Sequence, residues 1–583
     1  MARELSLRTS LEVVVLERGQ ARKTSDYAAN MDEVDYSIRL RMMQNVAEET
    51  MTHRWTVRDQ AAPSRVWGHV RPGDGTGGSG EHWGGFANRY PEDTFRLASE
   101  IKQRFSANQI PENLSIQDWP FSWAEIEPWY TKAEELLGIS GKAGNIAGKK
   151  IAGGNVFEGP RSKEYPVGPH MSTFTMSVME KAALALGYHP YTAPAATLAQ
   201  TYTNPDGVSR PGCAYCGYCG LYGCMISAKA QPTNLLLPVI GRSKHFTLRN
   251  HCWVRRIIHK DGRAQGVTYM DEKGQEVMQP ASVVISSSFT PGNIKLLLLS
   301  KIGLAYDSQT KEGTLGKNFS HQMSGGGGGQ IIYKEPLNSF MAAGGQATYL
   351  SDFDGFNNLD SEAGILRGGT FTGGGGGGGG RAIGGFGSVP AGTVKRNWGS
   401  EWKHAALRYH DHIGGAPGFS AEHLAYNHNF FDLDTTWTDK WGDPLLRTTV
   451  DWTEHEQKMR AFAQKVSRRL GEEMARVAGA KFIAGGGRGV VAGRSFGRAS
   501  GRYQTASYAT THLHGGAIMG DNPANSVVNT YLQHWQVSNL FVVGASAFPQ
   551  AGATNPTMTV LATTLRAADA LVSRYLKQPG ALA

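Results

Sequence analysis

Two short, unbroken apolar runs stand near opposite ends of the chain. Val13 to Leu16 reads as a buried parallel strand, ending in Glu17 and broken at Gly19. Leu540 to Val543 reads as a second buried strand entering a turn at Gly544 and Ala545. From Met558 the spacing becomes helical, with Ala567, Ala568 and Leu571 continuing one apolar face. Strand, tight turn and helix N-terminus together predict an anion site lined by backbone N–H groups. The middle of the chain carries glycine runs, Gly325 to Gly329 and Gly373 to Gly380. Glycine surrenders much backbone freedom in a helix, so these runs predict loops or strand edges and not phosphate cradles. No stretch reaches the roughly 18 apolar residues of a membrane span, and no charged-then-apolar leader opens the chain. No direct membrane span is therefore predicted, and any attachment would come through a partner.

With 583 residues and 40% hydrophobic content, the chain can build a large core and more than one domain. Its net charge of +9 is spread without Lys/Arg blocks. That distribution argues against a nucleic-acid partner and is compatible with an acidic substrate.

The densest chemistry is cysteine. Cys213, Cys216, Cys219 and Cys224, four of the five cysteines, share the segment 212–225. Short spacers let successive thiolates converge on one inorganic core, which favours an iron–sulfur cluster. Disulfides here would close small, strained loops. Structural zinc is the rival reading, although no second Cys-x2-Cys pair or His-x3-5-His follows. Cys252, beside His251, reads as a packed core thiol.

Other segments point to a dinucleotide and to proton transfer. An acidic strand tip such as Glu17 is where a dinucleotide fold holds a ribose hydroxyl. The matching G-x-G-x-x-G turn then belongs about 20 residues earlier, ahead of residue 1, with Met1 to Arg8 as the end of the helix that follows it. Gly75, Gly77, Gly78, Ser79 and Gly80, ahead of His82 and Trp83, allow close backbone approach to a cofactor; a surface turn is the plain alternative. His512 and His514 alternate, so in an extended segment they share a face. A histidine in such a glycine-flanked loop suits proton transfer near neutral pH, against a purely structural hydrogen-bonding role. Asn555, before Pro556, offers a second polar contact.

In order along the chain, the strand ending in Glu17, the GGSGEHW segment, Asp118-WPFSWAEIEPWY, the cysteine segment with Ala228-KAQP, Leu315-GKNFSHQ, and the His512 and Asn555 segments resemble the glucose-methanol-choline (GMC) flavin oxidoreductases. Within that family they look like the large subunits of the gluconate 2-dehydrogenase group, with sorbitol and fructose dehydrogenases. The resemblance implies FAD as cofactor, His512 as catalytic base with Asn555 as its partner, and His514 as a second candidate base. It implies that Glu17 holds the ADP ribose, Gly77 to Gly80 and His82 the flavin side, and Val254 the adenine region. Gly544, Ala545, Asn555 and Thr557 would lie along the diphosphate and flavin. Gly84 and His514 stand where relatives often carry asparagine.

The implied fold is α/β, α+β overall. A Rossmann-like FAD-binding domain gathers residues 1–95, 212–320 and 505–583, and an antiparallel-sheet substrate domain takes 96–211 and 321–504. The implied reaction is oxidation of a sugar, sugar acid or polyol, gluconate to 2-dehydrogluconate being preferred. Electrons would leave through a three-iron cluster on Cys213, Cys219 and Cys224, with Cys216 a bystander, to a membrane-associated cytochrome c subunit. A small subunit would complete the complex at the periplasmic face of the inner membrane, a cytoplasmic location being the alternative. The competing readings are a non-catalytic electron-transfer or zinc-binding protein, and an inactive N-terminally truncated enzyme.

Overall fold

A computed structural model describes residues 1–27, 33–64, 70, 72–326, 328–338, 341–359, 364–374, 389–390, 392–485 and 511–582. Both apolar runs form strands, Val13–Leu16 and Leu540–Val542. The first pairs in parallel with Phe246–Arg249 and the second in parallel with Val284–Ser286. Leu540–Val542 is sealed in the core, whereas Val13–Leu16 stays half-buried; among the described residues no strand joins the two pairs. Residues Ala2–Arg8 are helical, as the sequence implies. An antiparallel meander of Trp253–Lys260, Arg263–Met270 and Glu276–Pro280 adjoins these parallel pairs.

The other part is built on a six-stranded antiparallel sheet. Its spatial order is Leu513–His514, Ser320–Gly326, Gly418–Glu422, Gly369–Gly373, Thr348–Leu350 and Tyr191–Thr192. The first glycine run behaves as expected: Gly326 closes one strand and Gly329 opens the strand Gly329–Ile332. Residues 375–380 of the second run lie outside the described residues. Helix Glu454–Ala478 packs against the sheet through Met459, Phe462, Ala463, Val466, Leu470 and Met474, whose three- and four-residue spacing makes one apolar stripe. A capping box between Thr453 and Glu456 sets its start. The short strand Leu513–His514 belongs to this sheet: Ser320 pairs with His514 and His321 with Leu513. The seam between the two parts therefore runs through the histidine segment itself.

Helix Trp123–Leu137 begins at a Ser122/Glu125 capping box and packs on the C-terminal helix Thr557–Ala570. Tyr130 Oη and Thr559 Oγ1 lie 2.6 Å apart across that contact. Beneath it, Arg89 meets Glu134 through two parallel bonds of 2.8 Å and reaches Glu127 at 2.9 Å, while Arg161 reaches Glu134 at 2.7 Å. This sealed cluster holds the loop that carries Tyr90 toward the site. No helix among the described residues is long and apolar enough to cross a membrane. Removing one member of a buried ionic cluster strands the others, so Glu134→Gln is expected to cost about 3–5 kcal/mol of stability. Urea denaturation checks this, and an unchanged midpoint would contradict it.

Candidate active site

The register Ser320↔His514 sets two histidines in different surroundings. His514 is fully buried, its Nε2 lies 3.0 Å from the Tyr90 hydroxyl, and its ring stacks on Phe548. His512 is only partly buried. Its main-chain carbonyl accepts from the Gln322 N–H at 3.2 Å, and its Nδ1 meets Gln322 Oε1.

Gln322 settles the tautomer. Its amide Nε2 donates to the Ala553 carbonyl at 2.7 Å, so the amide oxygen must face the histidine. An oxygen can only accept there, which places the proton of neutral His512 on Nδ1 and the lone pair on Nε2. That Nε2 lies 3.5 Å from Asn555 Nδ2, a donor. Asn555 Oδ1 in turn accepts from the Tyr349 hydroxyl at 3.5 Å. The chain of contacts runs from Ala553 through Gln322, His512 and Asn555 to Tyr349 and sets one basic nitrogen beside one amide N–H. Burial pulls His512 down to about 4 and His514 far below the ordinary histidine range, so both are neutral at pH 7. A cavity of about 360 Å³ is lined in part by Tyr90, the partner of His514, and by Thr554, the residue before Asn555; the two histidines and Asn555 do not line it.

The residues expected to hold FAD fall into two groups. Thr557 opens the C-terminal helix two residues after Asn555, with Pro556 at the N-cap, and no side chain caps that end, so its first-turn N–H groups can meet an electron-rich group. Gly544 ends the buried strand Leu540–Val542 region at φ 112°, and only Asn293 Nδ2, at 3.9 Å, would approach a Cβ there; Ala545 begins the short turn after it. At the other end, Glu17 follows the strand Val13–Leu16, and its carboxylate accepts from the Gly19 N–H at 2.8 Å. Burial raises Glu17 above the usual carboxylate range, against the Gly19 and Gly75 N–H groups that favour its charge. Cys252 N–H bonds the Glu17 carbonyl at 2.9 Å, which sets Val254, in the following strand, near the same edge. Gly77, Gly78, Ser79, Gly80 and His82 form a tight turn and a single helical turn. Gly78, at φ 52°, leaves open space where a Cβ would stand. These exposed backbone edges and the un-neutralised acid fit a flavin dinucleotide at its ribose and flavin ends. No strand running into a G-x-G-x-x-G turn occurs among the described residues.

The cysteine loop packs directly on the flavin-side segment. Leu221 N–H bonds the His82 carbonyl at 2.7 Å, and Gln231 ties the Cys224 N–H to Glu81. The Tyr215 N–H points to Cys213 Sγ at 3.3 Å and the Lys229 N–H to Cys224 Sγ at 3.5 Å. Cys219 and Cys224 are buried and Cys213 and Cys216 half-buried, with burial pushing Cys213 up to about 11 and Cys219 up to about 12. All four are free thiols gathered on one loop; among the described residues no three ligating side chains converge into a metal cage. Cys252 is a buried thiol, as expected.

Sequence reasoning did not single out Gln322, Tyr349 or Tyr90. Gln322 is the last residue of the Leu315-GKNFSHQ segment, so its position was marked while its bond to His512 was not.

A parallel-strand core, an antiparallel sheet and a His–Asn pair at an uncapped helix N-terminus are what the resemblance to the GMC flavin oxidoreductases implies. Family models described as GMC oxidoreductase match residues 117–324 and 425–564. The chain is 38% identical, over all of its length and 93% of the relative's, to the gluconate 2-dehydrogenase flavoprotein of Pantoea cypripedii. It is 26% identical to 2-methyl-1,2-propanediol dehydrogenase of Mycolicibacterium austroafricanum, over 86% of this chain and 81% of the relative. A formate oxidase from Aspergillus oryzae has the same fold, with a TM-score of 0.56 at 12% identity over 99% of this chain and 96% of that one. The chain belongs to the GMC oxidoreductase family, and its cofactor is FAD.

Because His512 stays neutral down to about pH 4, its basic form is present at pH 5 to 8 and is lost only on acidification through that value. The acid limb of kcat/KM is therefore expected near pH 4. A limb near pH 6.5 would contradict the buried setting.

Proposed function

We propose that the chain oxidises a secondary alcohol of a sugar acid, gluconate to 2-dehydrogluconate, and passes the electrons to a cytochrome c subunit. The observation that carries the chemistry is the His512 Nε2–Asn555 Nδ2 pair, 3.5 Å apart, at the start of the C-terminal helix. Full-length likeness to a gluconate 2-dehydrogenase flavoprotein supports the substrate.

Neutral His512 accepts the proton of the alcohol oxygen on Nε2, while Asn555 Nδ2 donates to that oxygen and fixes its direction. Gln322 keeps the other nitrogen protonated throughout, so the base cannot swing to the wrong tautomer. FAD, when bound, supplies the acceptor for the hydride from carbon. His514 is a structural neighbour: Tyr90 and Phe548 occupy its two sides.

Two electrons leave per alcohol oxidised. The reading assigns their exit to an iron–sulfur cluster on Cys213, Cys216, Cys219 and Cys224, with three of the four as ligands to a three-iron cluster. What supports this reading is that four thiols share one loop and backbone N–H groups point at two sulfurs, while among the described residues no three ligating side chains converge. The proposal places the chain, with a small subunit and a cytochrome c subunit, at the periplasmic face of the inner membrane.

Loss of a general base lowers rate by about 10²–10⁴-fold. His512→Ala is expected to lose turnover of gluconate with an artificial acceptor by that factor while its melting temperature holds. His514→Ala is expected to lower the melting temperature and retain turnover. The reverse pattern would reassign the base.

A further inference from the structure

Asn88 lines the cavity beside the candidate site, one residue before the buried ionic cluster of Arg89 that fixes its loop. It is 4% exposed, yet its amide Nδ2 has no partner within hydrogen-bond distance. A buried N–H left unpaired costs about 1–3 kcal/mol, so on a cavity wall it is a donor for whatever fills the cavity. Asp354 lines the same cavity, also 4% exposed, and supplies the opposite chemistry. Its carboxylate accepts from the Gly355 N–H at 2.8 Å and the Thr370 hydroxyl at 3.1 Å, and a carboxylate has about four acceptor sites, so it can take further donors.

Asn88 also stands beside Tyr349: burial pushes that phenol up to about 12, and the Thr372 and Asn88 side chains work against the rise. The Tyr349 hydroxyl donates to Asn555 Oδ1 at 3.5 Å, so one side chain separates Asn88 from Asn555. The charges on the wall narrow what the cavity can hold. Among the described residues three of its four cations are spent, Arg89 on Glu127 and Glu134, Arg96 on Asp118 and Arg104 on Glu100. Lys142 is left against Glu92 and Asp354. The cavity thus offers no excess positive charge to a carboxylate, whereas a hydroxyl, which both donates and accepts, is served by Asn88 and Asp354 together. Phe157 and Tyr191 add apolar wall for carbon.

We infer that this cavity receives the polyhydroxylated tail of the substrate, with Asn88 donating to its hydroxyls and Asp354 accepting from them, and that the pair selects long sugar acids over short 2-hydroxy acids. The inference rests on the proposed oxidation of a sugar acid at His512 and Asn555. The reacting alcohol sits at that pair, with the carboxylate on the neighbouring carbon, and the tail runs past Tyr349 into the cavity. Binding energy from the tail is uniform, made alike before and during the reaction, so it acts on KM and not on kcat.

The test is steady-state kinetics of the purified complex with an artificial acceptor, for the parent, Asn88→Leu and Asp354→Asn, on gluconate and on glycerate, whose tail is a single hydroxymethyl group. The parent is expected to prefer gluconate in kcat/KM. One hydrogen bond between neutral groups is worth about fivefold in binding, so Asn88→Leu is expected to raise the gluconate KM by about that factor, the loss falling on KM and not on kcat. Asp354→Asn is expected to move KM in the same direction. Asn88→Leu nearly keeps the side-chain volume and gives up an N–H that has no protein partner, so it is expected to fold, with the melting temperature as the check; Asp354→Asn carries the test should it not. A gluconate KM that stays at the parent value in the folded variants, a loss confined to kcat, or a parent that takes glycerate as well as gluconate would overturn this inference and leave the reading of His512 and Asn555 standing. A parent that oxidises neither acid would overturn both.

Discussion

The geometry of the candidate site hangs on one amide. Gln322 lies in the strand that pairs with the histidine segment, accepts at one end from His512 and donates at the other to Ala553, two residues before Asn555. Three consequences follow from that one side chain. It ties His512 to the segment that carries Asn555, the two partners of the proposed proton-transfer pair, it decides which imidazole nitrogen is basic, and it joins the antiparallel sheet to the segment leading into the C-terminal helix. A hydrogen bond between neutral groups contributes only about 1 kcal/mol to stability. Its value here is directional, since catalysis by a positioned base loses heavily when the base points elsewhere.

A second seam joins the flavin-side segment to the cysteine loop. Glu81, fully buried, accepts from Tyr27, Gln231 and Thr233, and Gln231 passes the connection to Cys224. Lys229 adds a bond from the cysteine loop to Trp83. The loop is therefore packed onto the segment expected to run along the flavin, and a charge centre placed there has a short protein path to it.

The strands Val13–Leu16 and Leu540–Val542 and the helix from Thr557 were legible because each is an uninterrupted apolar run or a regular helical stripe. The segment carrying His512 and His514 was legible as chemistry but not as structure. A two-residue strand has no periodicity to read, and alternation alone cannot show that Tyr90 and Phe548 close around one histidine while Gln322 and Asn555 flank the other. Gln322 was hidden for a related reason: its partners lie 190 and 231 residues away. The cysteines were plain from their spacing, but their packing on His82 and Trp83 needed the fold.

The central claim is that one chain takes electrons from a sugar acid at the His512–Asn555 pair and delivers them through the cysteine loop. Anaerobic titration of the purified complex with gluconate, followed by visible absorption and EPR, tests it most directly. The account expects bleaching of the flavin absorbance together with a change in an iron–sulfur signal in the same titration. A flavin that gluconate leaves oxidised, or one that bleaches in a complex without any iron signal, would contradict it.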